Sequence, residues 1–172
     1  MSAAREELND RDWELPNLTL EEYRPRSSKY CVTIPVLNEG NRITRQLDRM
    51  RPLCADLDIL ICDGGSTDGC TVPERMKPRG VRTVIRKTAP GRMSSQLRLL
   101  FAYALRQGYA GVVNLDGNDK DGVEAIPRFV ALLDEGYDCV LGSRFLPGEK
   151  ISWTRFGGVT LIVLGVLTVS RS

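Results

Sequence analysis

The feature that most limits the fold is a series of short apolar runs separated by helical patterns. "KYCVTIPVL" (29–37), "LDILICD" (57–63), "GVRTVIRK" (80–87), "AGVVNLD" (110–116) and "YDCVLGSRF" (137–145) each read as a strand. Runs apolar throughout belong to strands buried on both faces, which is the signature of a mostly parallel sheet. Between them, 39–50 places Ile43, Leu47 and Met50 at helical spacing, and 66–76 reads as a short helix broken or bent by Pro73. The segment 91–108 is the clearest helix. Met93, Leu97, Leu100, Phe101, Ala104 and Leu105 are expected to share its inner face, with Gly108 as the stop. A last helix over 122–136 has Pro127 early and Gly136 at its end. The alternation predicts an α/β domain, doubly wound and mostly parallel, whose ligands sit at the carboxyl ends of the strands.

Composition narrows the chemistry. The 172 residues carry 24 basic and 22 acidic side chains, a net charge of +2 that argues against nucleic acid as partner. There is no histidine, so Ser-His-Asp and Cys-His catalysis and histidine metal ligation are all out of reach. Five cysteines, none in CxxC spacing, argue against a disulfide framework or a zinc site and fit a reducing cytosol. Cys31, Cys62 and Cys139 lie in or beside apolar runs and are expected to behave as small core residues. Residues 1–28 read as a polar leader with one helical turn near "LTLEEY" and no signal peptide. The uncharged run "FGGVTLIVLGVLTVS" (156–170) is shorter than a membrane span. It suits a buried element, a membrane-facing segment, or the start of a longer one.

Polar residues gather at the expected strand ends. In "DGGSTDG" (63–69), Asp63 can accept from a base N–H, and Gly64 and Gly65 allow close backbone approach. The plainer reading is a turn in which Ser66 or Thr67 caps the next helix. In "APGRMSSQLR" (89–98), Gly91, Arg92 and Gln96 lie at a helix start, where Arg92 and the free N–H groups can bind a donor phosphate or base, unless this is only a Pro-Gly turn. "DGNDKDG" (116–122) is not an EF-hand, because Lys120 stands where a ligand oxygen belongs and Pro127 stands at position twelve. It is either a solvated turn or a site where Asp116 and Asn118, two hard oxygen donors, hold Mg²⁺ or Mn²⁺ on a nucleotide diphosphate.

Taken together and in order, "IPVLNEG", "DGGSTDG", "PGR", "LDGND" and "GSRF" resemble the family 2 glycosyltransferases of GT-A fold, and within them the dolichyl-phosphate mannose synthase and polyprenyl-phosphate glycosyltransferase branch. The resemblance covers about residues 29–150. It implies a Rossmann-like nucleotide-binding half, a UDP- or GDP-sugar donor, a divalent cation and inversion at the anomeric carbon. By position, Pro35, Asn38, Glu39, Asp63, Gly65, Ser66, Gly91, Arg92, Gln96 and Asp116 would form the donor site. Asp116 matches the first aspartate of the family's D-x-D metal motif; Asn118 replaces the second, and Lys120 is a further departure. Arg144 would join the metal in stabilising the departing nucleotide diphosphate. Asp119 or Asp121 would be the base if one is needed, whereas a lipid-phosphate acceptor is already anionic.

Relatives continue well past the GSRF-like motif, so the resemblance implies a chain shortened at its C-terminus, with 151–172 an apolar terminal segment. It implies a cytoplasmic enzyme with peripheral contact at the inner face of a membrane. The rival readings are a sugar-nucleotide binder without turnover, a nucleotidyltransferase, and a small α/β interaction module.

Overall fold

The structure, a computed structural model, describes residues 14–142. Five strands form one sheet: β1 (Leu18–Glu22), β2 (Tyr30–Val36), β3 (Asp58–Asp63), β4 (Val81–Lys87) and β5 (Gly111–Asn114), in the spatial order β1-β4-β3-β2-β5. Strands β2 to β5 are mutually parallel, and β1 runs antiparallel to β4. Every residue of β2 and β3 is buried, as their unbroken apolar character requires of strands covered on both faces.

Four helices cover the two faces: α1 (Asn41–Met50), α2 (Pro73–Met76), α3 (Met93–Arg106) and α4 (Ile126–Asp134). On one face Val32, Ile34, Ile59, Ile61 and Val84 pack with Ile43, Leu47 and Met50 of α1, Met76 of α2 and Ile126 of α4. On the other, Cys31, Leu60, Cys62 and Ile85 pack with Leu99, Leu100 and Tyr103 of α3. The alternation of side chains along a strand assigns each set to its own face. The doubly wound α/β architecture is therefore present.

The helix stops fall where glycine predicts. Gly108 and Gly136 take positive φ (72° and 93°). At each, two backbone bonds close the helix: Gly108 N–H to Leu105 O with Tyr109 N–H to Ala104 O, and Gly136 N–H to Leu133 O with Tyr137 N–H to Leu132 O. This is the Schellman arrangement. Pro73, expected inside a helix over 66–76, instead opens one at its first turn, where its missing N–H costs nothing.

Four expectations are corrected. The helical turn near "LTLEEY" is strand β1, because Leu18 and Leu20 alternate with polar residues and pair against β4, Leu18 opposite Lys87 and Glu22 opposite Thr83. Of the inner face expected for α3, Leu100 and Ala104 are buried, joined by Gln96, Leu99 and Tyr103; Met93, Phe101 and Leu105 are exposed instead, and Leu97 is half-buried. Tyr103 draws this face inward, since its hydroxyl meets the buried Arg82 guanidinium at 3.0 Å. Residues 137–142, the described part of the expected fifth parallel strand, are irregular. Cys139 is exposed with them, whereas Cys31 and Cys62 are buried core thiols. The remainder of that strand, Arg144 and the run 156–170 lie outside the described residues.

Leu18 is 1% exposed within the α3-side core. Leu18→Ala is expected to lower the unfolding free energy by about 2–4 kcal/mol, measured by urea denaturation. Wild-type stability in that variant would make the segment a leader rather than part of the domain.

Candidate active site

Because β2, β3, β4 and β5 are parallel, their carboxyl ends reach one edge of the sheet, the edge where open α/β sheets bind ligands. Each end hands the chain to one of the motifs.

The loops after β2 and β3 are clasped together. Asn38 adopts a left-handed backbone (φ 53°), which its residue type tolerates. Its Oδ1 accepts from Thr67 N–H at 2.8 Å, and its own N–H donates to Ser66 Oγ at 3.0 Å. Gly40 N–H donates to Asp68 Oδ2 at 2.7 Å. Hydrogen bonding with Cys70, and from the Gly40 backbone, holds the Asp68 carboxyl below the usual range. Ser66 and Thr67 thus lock one loop to the next rather than cap a helix. Glu39 pairs with Arg42 at 2.8 Å.

Asp63 lies beneath this clasp with its side chain 3% exposed. Oδ1 accepts from the N–H groups of Gly65 (2.9 Å) and Ser66 (2.7 Å), and Oδ2 accepts from Thr71 Oγ1 and from Arg86 Nη1 (3.0 Å). Arg86 also donates to Thr71 O at 2.9 Å and, through Nε, to Glu21 of β1 at 2.7 Å. Burial alone would raise the Asp63 carboxyl; the hydrogen bonds from Thr71, Ser66 and Gly65 outweigh it and hold the group below its ordinary value. Asp63 is expected from sequence to meet a base N–H. Here its oxygens shape the loop that carries Gly65 and Ser66.

Gln96 is buried on α3 and spans two strand ends, its Nε2 donating to Val36 O at 2.8 Å and to Cys62 O at 3.0 Å. A Cβ on residue 64 would come within 2.6 Å of that nitrogen, so Gly64 is the residue the close approach allows. Pro35 is buried in β2 opposite Cys62. Gly91, with φ 140°, and Arg92 are exposed at the start of α3. Beside them the buried Lys87 donates to Ala89 O at 2.6 Å.

The loop after β5 carries Asp116 and Asn118. Gly117 between them rests on β2: an added Cβ would stand 3.0 Å from Pro35 O and from Val36 Cγ2. Asp116 and Asn118 are half-buried neighbours, with Asn118 Nδ2 at 3.5 Å from Asp116 Oδ2 and Asn118 Oδ1 accepting from Lys120 N–H at 3.0 Å. Asp121 Oδ2 accepts from Asp116 N–H at 2.9 Å. Asp119, left-handed at φ 60°, is gripped by Arg45 (3.3 Å) and Arg49 (2.9 Å) of α1. Both carboxylates proposed from sequence as bases therefore have structural partners.

Among the described residues no group of three or more His, Cys, Asp or Glu side chains is placed to hold a metal. Asn118 turns its Nδ2 toward Asp116 and its Oδ1 toward Lys120 N–H, so the Asp116 carboxylate is the ligand on offer; that fits a hard cation of the Mg²⁺ type, which takes one or two protein ligands and completes its shell with phosphate oxygens and water.

Sequence reasoning missed Gln46, Arg45 and Arg49; it saw Arg86 only as a charge at a strand end. Gln46 alone left a signal. It lies three residues after Ile43 and beside Leu47 on the apolar stripe of α1, and a buried polar side chain must find partners.

Residues 31–159 match the model of glycosyl transferase family 2. The chain belongs to that family. It is 28% identical over 134 residues to a polyprenol monophosphomannose synthase of Mycolicibacterium smegmatis, covering 73% of this chain and 48% of that protein. It is 28% identical over 123 residues to an undecaprenyl-phosphate mannosyltransferase of Micrococcus luteus, covering 70% and 50%. A third relative, an undecaprenyl-phosphate 4-deoxy-4-formamido-L-arabinose transferase of Klebsiella pneumoniae, is 33% identical over 129 residues, covering 67% and 37%. The chain spans half or less of the length of these curated relatives. The mostly parallel sheet with loops 37–40, 64–71 and 116–121 at one edge is the Rossmann-like arrangement of the GT-A fold.

Proposed function

We propose that this family 2 chain binds a UDP- or GDP-sugar at the carboxyl edge of its sheet and serves transfer of the sugar, with inversion, to a polyprenyl phosphate. The supporting observation is the convergence of the β2, β3, β4 and β5 ends, which brings Asn38, Gly65, Gly91 and Arg92 to the edge that also carries Asp116. A divalent cation held by Asp116, with Asn118 beside it, would offset charge on the leaving diphosphate. In the reaction an oxygen of the acceptor phosphate bonds to the anomeric carbon as the bond from that carbon to the nucleotide diphosphate breaks. That oxygen is already anionic and needs no proton removed. The commitment of Asp119 to Arg45 and Arg49, and of Asp121 to Asp116 N–H, favours such an acceptor over a neutral sugar hydroxyl. The names of the three relatives, two of them undecaprenyl-phosphate transferases, point the same way. No helix among the described residues is long and apolar enough to cross a membrane; we place the reaction at the inner face of one because the acceptor is a lipid.

A second reading, donor binding without turnover, is favoured by the engagement of Asp119 with Arg45 and Arg49 and of Asp121 with Asp116 N–H, which commits both candidate bases to structure. Calorimetric titration with UDP and GDP, with and without Mn²⁺, tests the donor site. One nucleotide is expected to bind more tightly with Mn²⁺, and Asp116→Ala to lose at least tenfold of that metal-dependent affinity. Absence of nucleotide binding would overturn the proposal. Transfer of labelled sugar to undecaprenyl phosphate then separates the enzyme from the binder.

A further inference from the structure

The geometry points to Gln46 of α1 as the residue that positions the loop 116–119 for its cation, an inference that rests on the donor-site reading above. Gln46 is fully buried. Its Nε2 donates to Asp116 O at 2.8 Å, and its Oε1 accepts from Asp119 N–H at 2.8 Å. One side chain thus closes the loop across Gly117 and Asn118, satisfying a carbonyl at one end and an N–H at the other. A side-chain amide donates from one atom and accepts at another while remaining uncharged at every pH.

The loop needs such a clasp. Gly117 has no side chain to anchor it, and Asp119 holds a left-handed backbone that an aspartate tolerates and its surroundings must select. Asp121 takes the N–H of Asp116 from the other side, so both backbone groups of the principal ligand are engaged. The clasp stands on a rigid base, since Ile43, Leu47 and Met50 of the same helix are fully buried. Groups that orient a metal ligand, rather than touch the metal, commonly change metal affinity by ~10–100-fold when removed.

The experiment uses the 172-residue chain and two variants. Gln46→Leu removes both bonds. Gln46→Glu keeps the acceptor for Asp119 N–H but sets a carboxylate oxygen against the Asp116 carbonyl. Titrations of Mn²⁺ at fixed UDP or GDP, followed by calorimetry and by Mn²⁺ electron paramagnetic resonance, are compared with nucleotide titrations without metal. The expected result is an apparent Mn²⁺ dissociation constant raised ~10–100-fold in both variants, with metal-free nucleotide affinity unchanged. Wild-type Mn²⁺ affinity in either variant that folds overturns the inference. So does a parallel loss of metal-free binding, which would make Gln46 a packing residue. Asp116→Ala in the same series separates the two levels. If it abolishes metal dependence while the Gln46 variants keep it, only the positioning role fails. If the wild type itself shows no metal-dependent binding, the donor-site reading fails and the role of Gln46 falls with it.

Discussion

Asp63→Asn is expected to destabilise the folded chain by about 1–3 kcal/mol at pH 7, the cost typical of leaving buried hydrogen-bonding groups mismatched. Asparagine keeps one oxygen for the N–H groups of Gly65 and Ser66. It turns an NH₂ toward Arg86 Nη1 and Thr71 Oγ1, which would then face a donor. Arg86 would retain Glu21, so the edge strand β1 stays attached while the loop 64–71 loses its anchor. The pH dependence checks the mechanism. The folded-state pKa of Asp63 is depressed, so its contribution is fully present above the unfolded aspartate value of ~3.9 and is lost as pH falls through the folded value. The gap between wild type and variant should therefore be constant near neutrality and shrink below about pH 4. Urea midpoints between pH 7 and pH 3 measure it. A gap that persists unchanged into acid would mean that the charge of Asp63 contributes nothing.

Gly117→Val is expected to remove metal-dependent nucleotide binding by tenfold or more, the equivalent of about 1.4 kcal/mol, and to cost a further ~1–3 kcal/mol of stability through overpacking. The first added carbon would already lie 3.0 Å from Pro35 O, a backbone atom within β2 that cannot move aside, and the methyls need more room still. The loop must lift from the sheet, carrying Asp116 and Asn118 with it. Calorimetry with Mn²⁺ and thermal unfolding read the two effects separately. Normal metal dependence in a destabilised variant would show that the loop tolerates displacement and that the site lies elsewhere.

What the sequence disclosed and what it hid divide along one physical line. Strands β2 and β3, the stripe Ile43–Leu47–Met50 of α1 and the stops at Gly108 and Gly136 follow from local pattern, and the structure contains them. So do the motifs at the strand ends, because parallel topology alone sends them to one edge. The features that were missed depend on partners far along the chain. Leu18–Glu22 is five residues with glutamates that suit a helix equally well, and only β4 makes it a strand. The grip of Arg45 and Arg49 on Asp119 joins residues about seventy positions apart. On α3 the apolar set Met93, Leu97, Phe101 and Leu105 competes with Leu99, Leu100 and Tyr103 for the inner face. A polar network at Arg82 helps the second set win, which periodicity cannot foresee.

The antiparallel addition of β1 to β4 has a consequence for how the protein comes into being. Leu18 is among the first described residues to leave a ribosome, yet its partner Lys87 follows about seventy residues later. At roughly 5–20 residues per second the earliest strand waits several seconds for its place in the sheet. During that interval Leu15 and Leu18, which end at 2% and 1% exposure, have no finished core to enter. The nascent chain must hold its oldest segment in reserve until β4 has emerged, when it becomes the seam that closes the outer edge of that strand.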